Sequence, residues 1–344
     1  MSKKLRKLVC FGLMAVLMAG AVMPMAAVAA VIPIMPVEED VTNVAGGADE
    51  ASVLEVIVPE ADGAAEVVLA LEALRANGLP DMLVASAFST VISMPLDALE
   101  NIPENTAAIR FAFTERSFEF MLLDEDGAEY LWRDSRNGVK IEMAYPLPMD
   151  ISSHQVVLEQ EGRSVVARSY YEDGKVYGKL NQSGKYIVAI KSLGAYADTA
   201  GKWMHTAAGY MTVRGILGDL KEWFSPNTIV TQAEFRDMLM KTLCIAPEVE
   251  GDENAAITRQ EMFYAAYQTM EYVGMLPDVM TLQWVLFDDW DGNVAAEHVD
   301  AIQSLCKMNI ISGTGNGMLS PNRNATRAEA VQFLYNILMY DKTR

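Results

Sequence analysis

Cysteine, histidine and positive charge are all scarce in this chain of 344 residues, and each shortage excludes something. Of three cysteines, Cys10 sits inside an early apolar run without a lipobox, so lipid attachment there is not expected. Cys244 and Cys306 are too few for a disulfide-stapled scaffold. Both fall in apolar helical patterns, which reads as buried thiols, with one bridge between them left open. The three histidines, His154, His205 and His298, are far apart and form no metal-ligand spacing. With 27 basic against 46 acidic residues the net charge is −19, which repels nucleic acid and anionic lipid. No G-x-S-x-G elbow, phosphate loop or Cys/His dyad is present, and the carboxylates are scattered, so catalysis, a cofactor and a metal are not expected. Asp288-Asp289-Trp290-Asp291-Gly292-Asn293 hints at a calcium loop, but its acids miss the positions that an EF-hand requires.

What is present begins with a basic start (Lys3, Lys4, Arg6, Lys7), an apolar run from Leu8 to about Val22, and Ala27-Val28-Ala29 as an A-x-A site. That is the layout of a cleaved secretory leader over residues 1–29. The run is interrupted by Gly12, Gly20 and Pro24 and is short for a full span, so no stable membrane span is expected after cleavage. Losing those four basic residues with the leader leaves 46 acids against 23 bases, the 27 less these four. Residues 30–50 lack periodicity and read as a flexible leader.

Residues 51–193 have a β texture. Short apolar or alternating runs, such as Ala108–Phe113, Phe118–Leu123 and Lys175–Leu180, are separated by turn dipeptides including Asp126-Gly127, Asn137-Gly138 and Asp173-Gly174. This predicts antiparallel hairpins in a sandwich-like domain. One helix is expected from Gly63 to about Ala76, from the spacing of Val67, Val68, Leu71 and Leu74.

After about Tyr196 the texture turns helical and repeats itself. Phe224-Ser225-Pro226-Asn227 precedes Thr231-Gln232-Ala233-Glu234, and Leu319-Ser320-Pro321-Asn322 precedes Thr326-Arg327-Ala328-Glu329 at the same spacing. Thr258-Arg259-Gln260-Glu261 is a third, partial copy. Thr-x-x-Glu before an apolar stripe is a capping box, in which the hydroxyl and the carboxylate each satisfy a backbone N–H. Three helices are therefore expected to start at these boxes. Their stripes are Phe235, Met238, Leu239 and Leu243; Met262, Phe263, Ala266 and Met270; and Val331, Leu334, Ile337 and Leu338.

These residues resemble the S-layer homology family. The first copy, 196–244, follows its landmarks through Tyr196-Ala197-Asp198, Trp203, Arg214-Gly215-Ile216 and the Ser-Pro-Asn turn. The third copy, 287–340, does so from Phe287-Asp288-Asp289 onward. The resemblance implies an all-α, pseudo-threefold helical domain over 196–340 that binds secondary cell-wall polysaccharide, often one carrying pyruvate ketals. Three departures stand out: Gln232 replaces an expected Arg, Glu297 stands where a Trp is expected, and the middle copy, 251–275, is abbreviated. Thr231 and Thr258 are 27 residues apart and Thr258 and Thr326 are 68 apart. One peripheral helix should therefore be missing and the grooves between copies unequal.

The resemblance also nominates polysaccharide-binding residues. Arg259 and Arg327, at the first position of a capped helix, could receive a carboxylate beside free N–H groups, or form ordinary surface ion pairs. Trp203 could stack on a sugar face or fill the core. Asp198 and Asp288 could accept sugar hydroxyls or cap the elements that follow, and Gly313 lines a groove. The expected protein is thus multi-domain and non-catalytic, secreted, and held in the cell wall or surface layer by wall polysaccharide, with surface-layer proteins as further partners. The competing class is a carbohydrate-binding or enzymatic β-domain carried by the same anchor.

Overall fold

The protein is described by a computed structural model, which covers residues 6–8, 30–31, 52–76, 78–134, 136, 138–147, 154–161, 165–193, 196–218, 220, 222–245, 252–277 and 285–342. The expected secretory leader and the flexible leader lie outside these residues, apart from two short extended segments, Arg6–Leu8 and Ala30–Val31. The chain divides into two compact units. One comprises residues 1–146 and 172–188, the other residues 147–171 and 189–344.

The strands of three or more residues from residue 52 on are, in chain order, β1 (Val53–Ile57), β2 (Ala64–Ala70), β3 (Met82–Ala87), β4 (Thr90–Pro95), β5 (Ala108–Thr114), β6 (Ser117–Leu123), β7 (Val139–Ala144), β8 (His154–Gln160), β9 (Ser169–Glu172), β10 (Lys175–Leu180) and β11 (Gly184–Ser192). The first unit is mainly β, as its sequence suggests, and is built on two sheets. One runs β1-β3-β4-β7-β10 and the other β11-β6-β5-β2. All neighbours within these runs are antiparallel except β1 and β3, which are parallel. Alternation sets the register. On β5 and β6, Ile109 faces Leu122, Phe111 faces Phe120 and Phe113 faces Phe118, and all six are buried. Trp132 and Tyr186 pack against this aromatic row.

The helix expected from Gly63 to Ala76 exists only as α1, Leu71–Ala76. Ala64–Ala70 is a strand instead, with Ala65, Val67 and Leu69 buried in alternation. Asp62 and Gly63, both at positive φ, make the tight turn that folds it onto Glu60–Ala61. Here period two, reinforced by a turn, prevails over a helical spacing that four apolar residues also satisfy. A second short helix, α2 (Leu96–Glu100), follows β4.

The second unit contains α3 (His205–Val213), α4 (Gln232–Leu243), α5 (Arg259–Tyr272), α6 (Val299–Lys307) and α7 (Arg327–Lys342). The three stripes expected on α4, α5 and α7 are buried throughout, and Phe333 packs against both Phe235 and Phe263. The all-α, pseudo-threefold domain expected of three repeats is not what forms. Among the described residues the unit has only these few helices and one 3-10 turn at Ala296–His298, and it also takes in β8. The leading helices α3 and α6 lie against α7 and α5, and among the described residues the middle repeat contributes α5 alone. No disulfide joins Cys244 to Cys306; Cys306 is buried, whereas Cys244 is exposed at the left-handed end of α4, against the expectation of a buried thiol.

Within this unit the strand-bearing segment is tied to the helices by the buried Arg214 and the part-buried Arg168. Arg214 donates from Nε to Ala167 O (3.1 Å) and from Nη2 to Ser169 O (2.7 Å), and it reaches the Gln155 side chain. Its guanidinium lies 3.4 Å from the centre of the Tyr210 ring, and burial lowers its pKa to about 10. Arg168 forms a two-pronged ion pair with Asp341 at 2.8 and 2.9 Å.

Candidate functional site

The three capping boxes converge. Val230 N donates to Ala325 O, Ala325 N to Ile257 O, and Ile257 N to Val230 O, closing a ring of backbone hydrogen bonds just ahead of the three caps. Each box forms as expected: Glu234, Glu261 and Glu329 accept from the backbone N–H of Thr231, Thr258 and Thr326 at 2.7–3.0 Å. The threonine hydroxyls face the N–H of the same glutamates at 3.2–3.4 Å.

The free N–H groups expected beside Arg259 and Arg327 are already engaged. Arg259 N donates to Arg323 O and Gln260 N to Pro321 O, both at 3.0 Å. Arg327 N donates to Thr228 O (2.8 Å) and Ala328 N to Pro226 O (3.1 Å). The Ser-Pro-Asn turns thus serve to cap a neighbouring helix.

Asp198 accepts from Phe224 N (3.0 Å) and Ser225 N (2.8 Å), fixing a turn in which Ser225 has positive φ. Burial raises its pKa, but those N–H groups outweigh it and hold the carboxyl below its ordinary value. In the third copy the same task falls to Asp289, which accepts from Leu319 N (2.8 Å) and Ser320 N (2.7 Å). Asp288 instead lies against Gly317, where a Cβ would come within 2.6 Å of its carboxylate. At Gly313, φ +82°, a Cβ would meet Met318 O at 2.6 Å and the Phe287 ring at 2.8 Å, so the loop closes only on glycine.

Beside the α5–α7 boxes opens a cleft of about 440 Å³. Trp203, Arg259 and Gly313, three of the six nominated residues, line it together. Arg327, Asp198 and Asp288 lie outside its lining, and Arg327 donates from Nη1 to Phe224 O at 2.6 Å. Trp203 is 61% exposed, so it is no core residue. The remaining polar lining, Ser312, Thr314, Arg323, Glu329, Gln332 and Asn336, carries no binding signal in the repeat landmarks. Gln332 donates to Asn336, which in turn donates to Ile310 O at 2.9 Å and steadies the loop leading to Gly313. The i, i+4 spacing of Gln332 and Asn336 on a striped helix was the one available signal for these two.

Glu329 is the hub. It accepts from Arg259 Nη1 (2.9 Å), from Arg323 Nη1 (3.1 Å) and Nη2, and from Thr326 N and Oγ1 (both 3.0 Å). Burial raises its pKa, yet Arg323, Thr326 and Arg259 outweigh that and hold it below the usual carboxylate value. Burial lowers the pKa of Arg259, which Glu329 partly offsets. Among the residues that line the cleft two guanidiniums face one carboxylate, an excess of positive charge in a chain whose net charge is −19; the Asp289 carboxylate, outside the lining, also acts on Arg259. No group of three metal-ligating side chains and no helix long and apolar enough to cross a membrane occurs among the described residues.

The cleft thus lies in a unit of capped helices, and Trp203 edges it. Residues 286–331 match the S-layer homology domain family, so the chain carries an S-layer homology domain. That domain implies anchoring at the cell wall or cell surface. Similarity extends to the exoglucanase XynX of Acetivibrio thermocellus, 24% identical over 49% of this chain and 18% of that protein. The amylopullulanase of Thermoanaerobacterium thermosulfurigenes is 25% identical over 42% of this chain and 9% of that protein. The chain therefore spans less than a fifth of either relative, and their activities do not transfer with the similarity.

Proposed function

We propose that this is an exported, non-catalytic surface protein whose helical unit holds it to the cell wall by binding secondary cell-wall polysaccharide in the α5–α7 cleft. Trp203 offers a flat face to a sugar ring, the Gly313 loop shapes one wall of the cleft, and the arginine-rich floor receives the polymer's acidic groups. Pyruvate ketals on the polymer would supply such carboxylates. The observation that carries the reading is the pairing of an exposed tryptophan with a net positive floor in an otherwise acidic protein. The first unit is displayed by the anchor.

Co-sedimentation with purified Gram-positive sacculi tests this. The protein should pellet with native walls and stay in solution once the secondary polysaccharide has been chemically removed. Trp203→Ala should weaken pelleting without lowering Tm, because the side chain is mostly in solvent. Equal pelleting with native and stripped walls would sink the polysaccharide reading.

A further inference from the structure

We infer that Arg323, rather than either arginine of the capping boxes, is the residue with which the cleft grips a carboxylate of its ligand, and that Glu329 is the latch that holds it until then. The inference rests on the wall-polymer reading of the cleft and deepens it.

The three guanidiniums in this region differ in how committed they are. Arg327 lies outside the cleft lining and is engaged with Phe224 O. Arg259 lines the cleft, but its side chain is only 6% exposed, and Nε is fixed on Leu319 O at 2.9 Å while Nη1 is fixed on Glu329. Pulling it toward a ligand would leave a buried carbonyl and weaken the support of a part-buried carboxylate. Arg323 is different. Its side chain is 45% exposed, it rises from the turn that follows Ser320, and among the described residues its guanidinium meets, apart from Glu329, a long 3.4 Å contact to Asn324 O. An ion pair that exposed is weak enough to exchange partners.

Glu329 can release it without being stranded. When Arg323 leaves, the carboxylate still accepts from Arg259 Nη1, Thr326 N and Thr326 Oγ1, and its capping role is unchanged. A ligand carboxylate would then meet a planar two-pronged donor, a match that a lysine could not give. The exchange trades one carboxylate for another on the same guanidinium, and the excess positive charge of the floor favours the incoming anion.

The test compares the wild-type protein, Arg323→Gln and Arg323→Lys on native sacculi at low and high salt, with Tm measured for each. Arg323→Gln should keep its Tm, lose about tenfold or more in affinity, and lose most of the salt sensitivity of binding. Arg323→Lys should recover part of the affinity and the salt sensitivity, since charge returns without the fork. Wild-type binding with an unchanged Arg323→Gln overturns this inference alone. A loss that tracks a fallen Tm and is not relieved in Arg323→Lys overturns it too, marking the residue as structural. Failure of the wild-type protein to pellet overturns the wall-polymer reading as well.

Discussion

Single residues in the helical unit do more for architecture than for recognition. Arg214, from the Arg-Gly-Ile landmark, spends its guanidinium on three backbone carbonyls, the Gln155 side chain and one ring, almost wholly out of solvent. Arg214→Ala should therefore cost about 3 kcal/mol or more, read from urea unfolding, because buried acceptors lose a charged donor. Glu329 and Asp198 carry the pH dependence. Both are held below their ordinary pKa in the folded state, so the stability they contribute is fully present above the unfolded value. For Glu329 that value is about 4.3, and the contribution is lost as pH falls from there through the lower folded pKa. Glu329→Gln should flatten the acid limb of the stability curve in that window, followed by circular dichroism, while lowering stability at neutral pH.

Elements were legible where one local rule decided them. Thr231, Thr258 and Thr326 announce three helix starts because a capping box needs only four residues to specify itself. Thr326→Ala removes one hydroxyl from the box and should lower stability by about 1 kcal/mol, measured by denaturant titration. Ala64–Ala70 was not legible in the same way. Val67, Val68, Leu71 and Leu74 satisfy a helical spacing, while Ala65, Val67 and Leu69 satisfy a strand's, and pairing with β5 decides between them. The Asp62-Gly63 dipeptide was the local clue. β3 carries no clear strand signal in the sequence, since Met82-Leu83-Val84-Ala85-Ser86-Ala87 places small and apolar residues on both faces; its alternation shows in burial. At the cleft, Trp203, Arg259 and Gly313 could be nominated from repeat landmarks. Arg323 could not, since its pairing with Glu329 spans a turn and a helix start and follows no period.

At the scale of the whole molecule, the repeat does not delimit the folding unit. Residues 147–171 cluster with the helices, and Arg168 and Asp341 join that segment to the last turn of α7. A fragment of residues 196–344 lacks the partners of Arg214 and Asp341. It should melt well below a fragment of 147–344 and be cut faster by protease, which differential scanning calorimetry and limited proteolysis would show. Among the described residues α3 packs on α7 and α6 on α5, and no leading helix of the middle repeat packs on α4.

The division of the chain has a further consequence for how long such a protein stays where it is put. The polypeptide passes from one unit to the other at 146/147, returns at 171/172 and leaves again at 188/189. A single cut between Pro146 and His154 separates two polypeptides, yet residues 172–188 on the anchored piece still supply β10 and the first half of β11 to the sheets of the other. Shedding would then require strands to be pulled out of a folded sheet as well as a bond to be broken, so retention at the surface becomes a matter of unfolding rate.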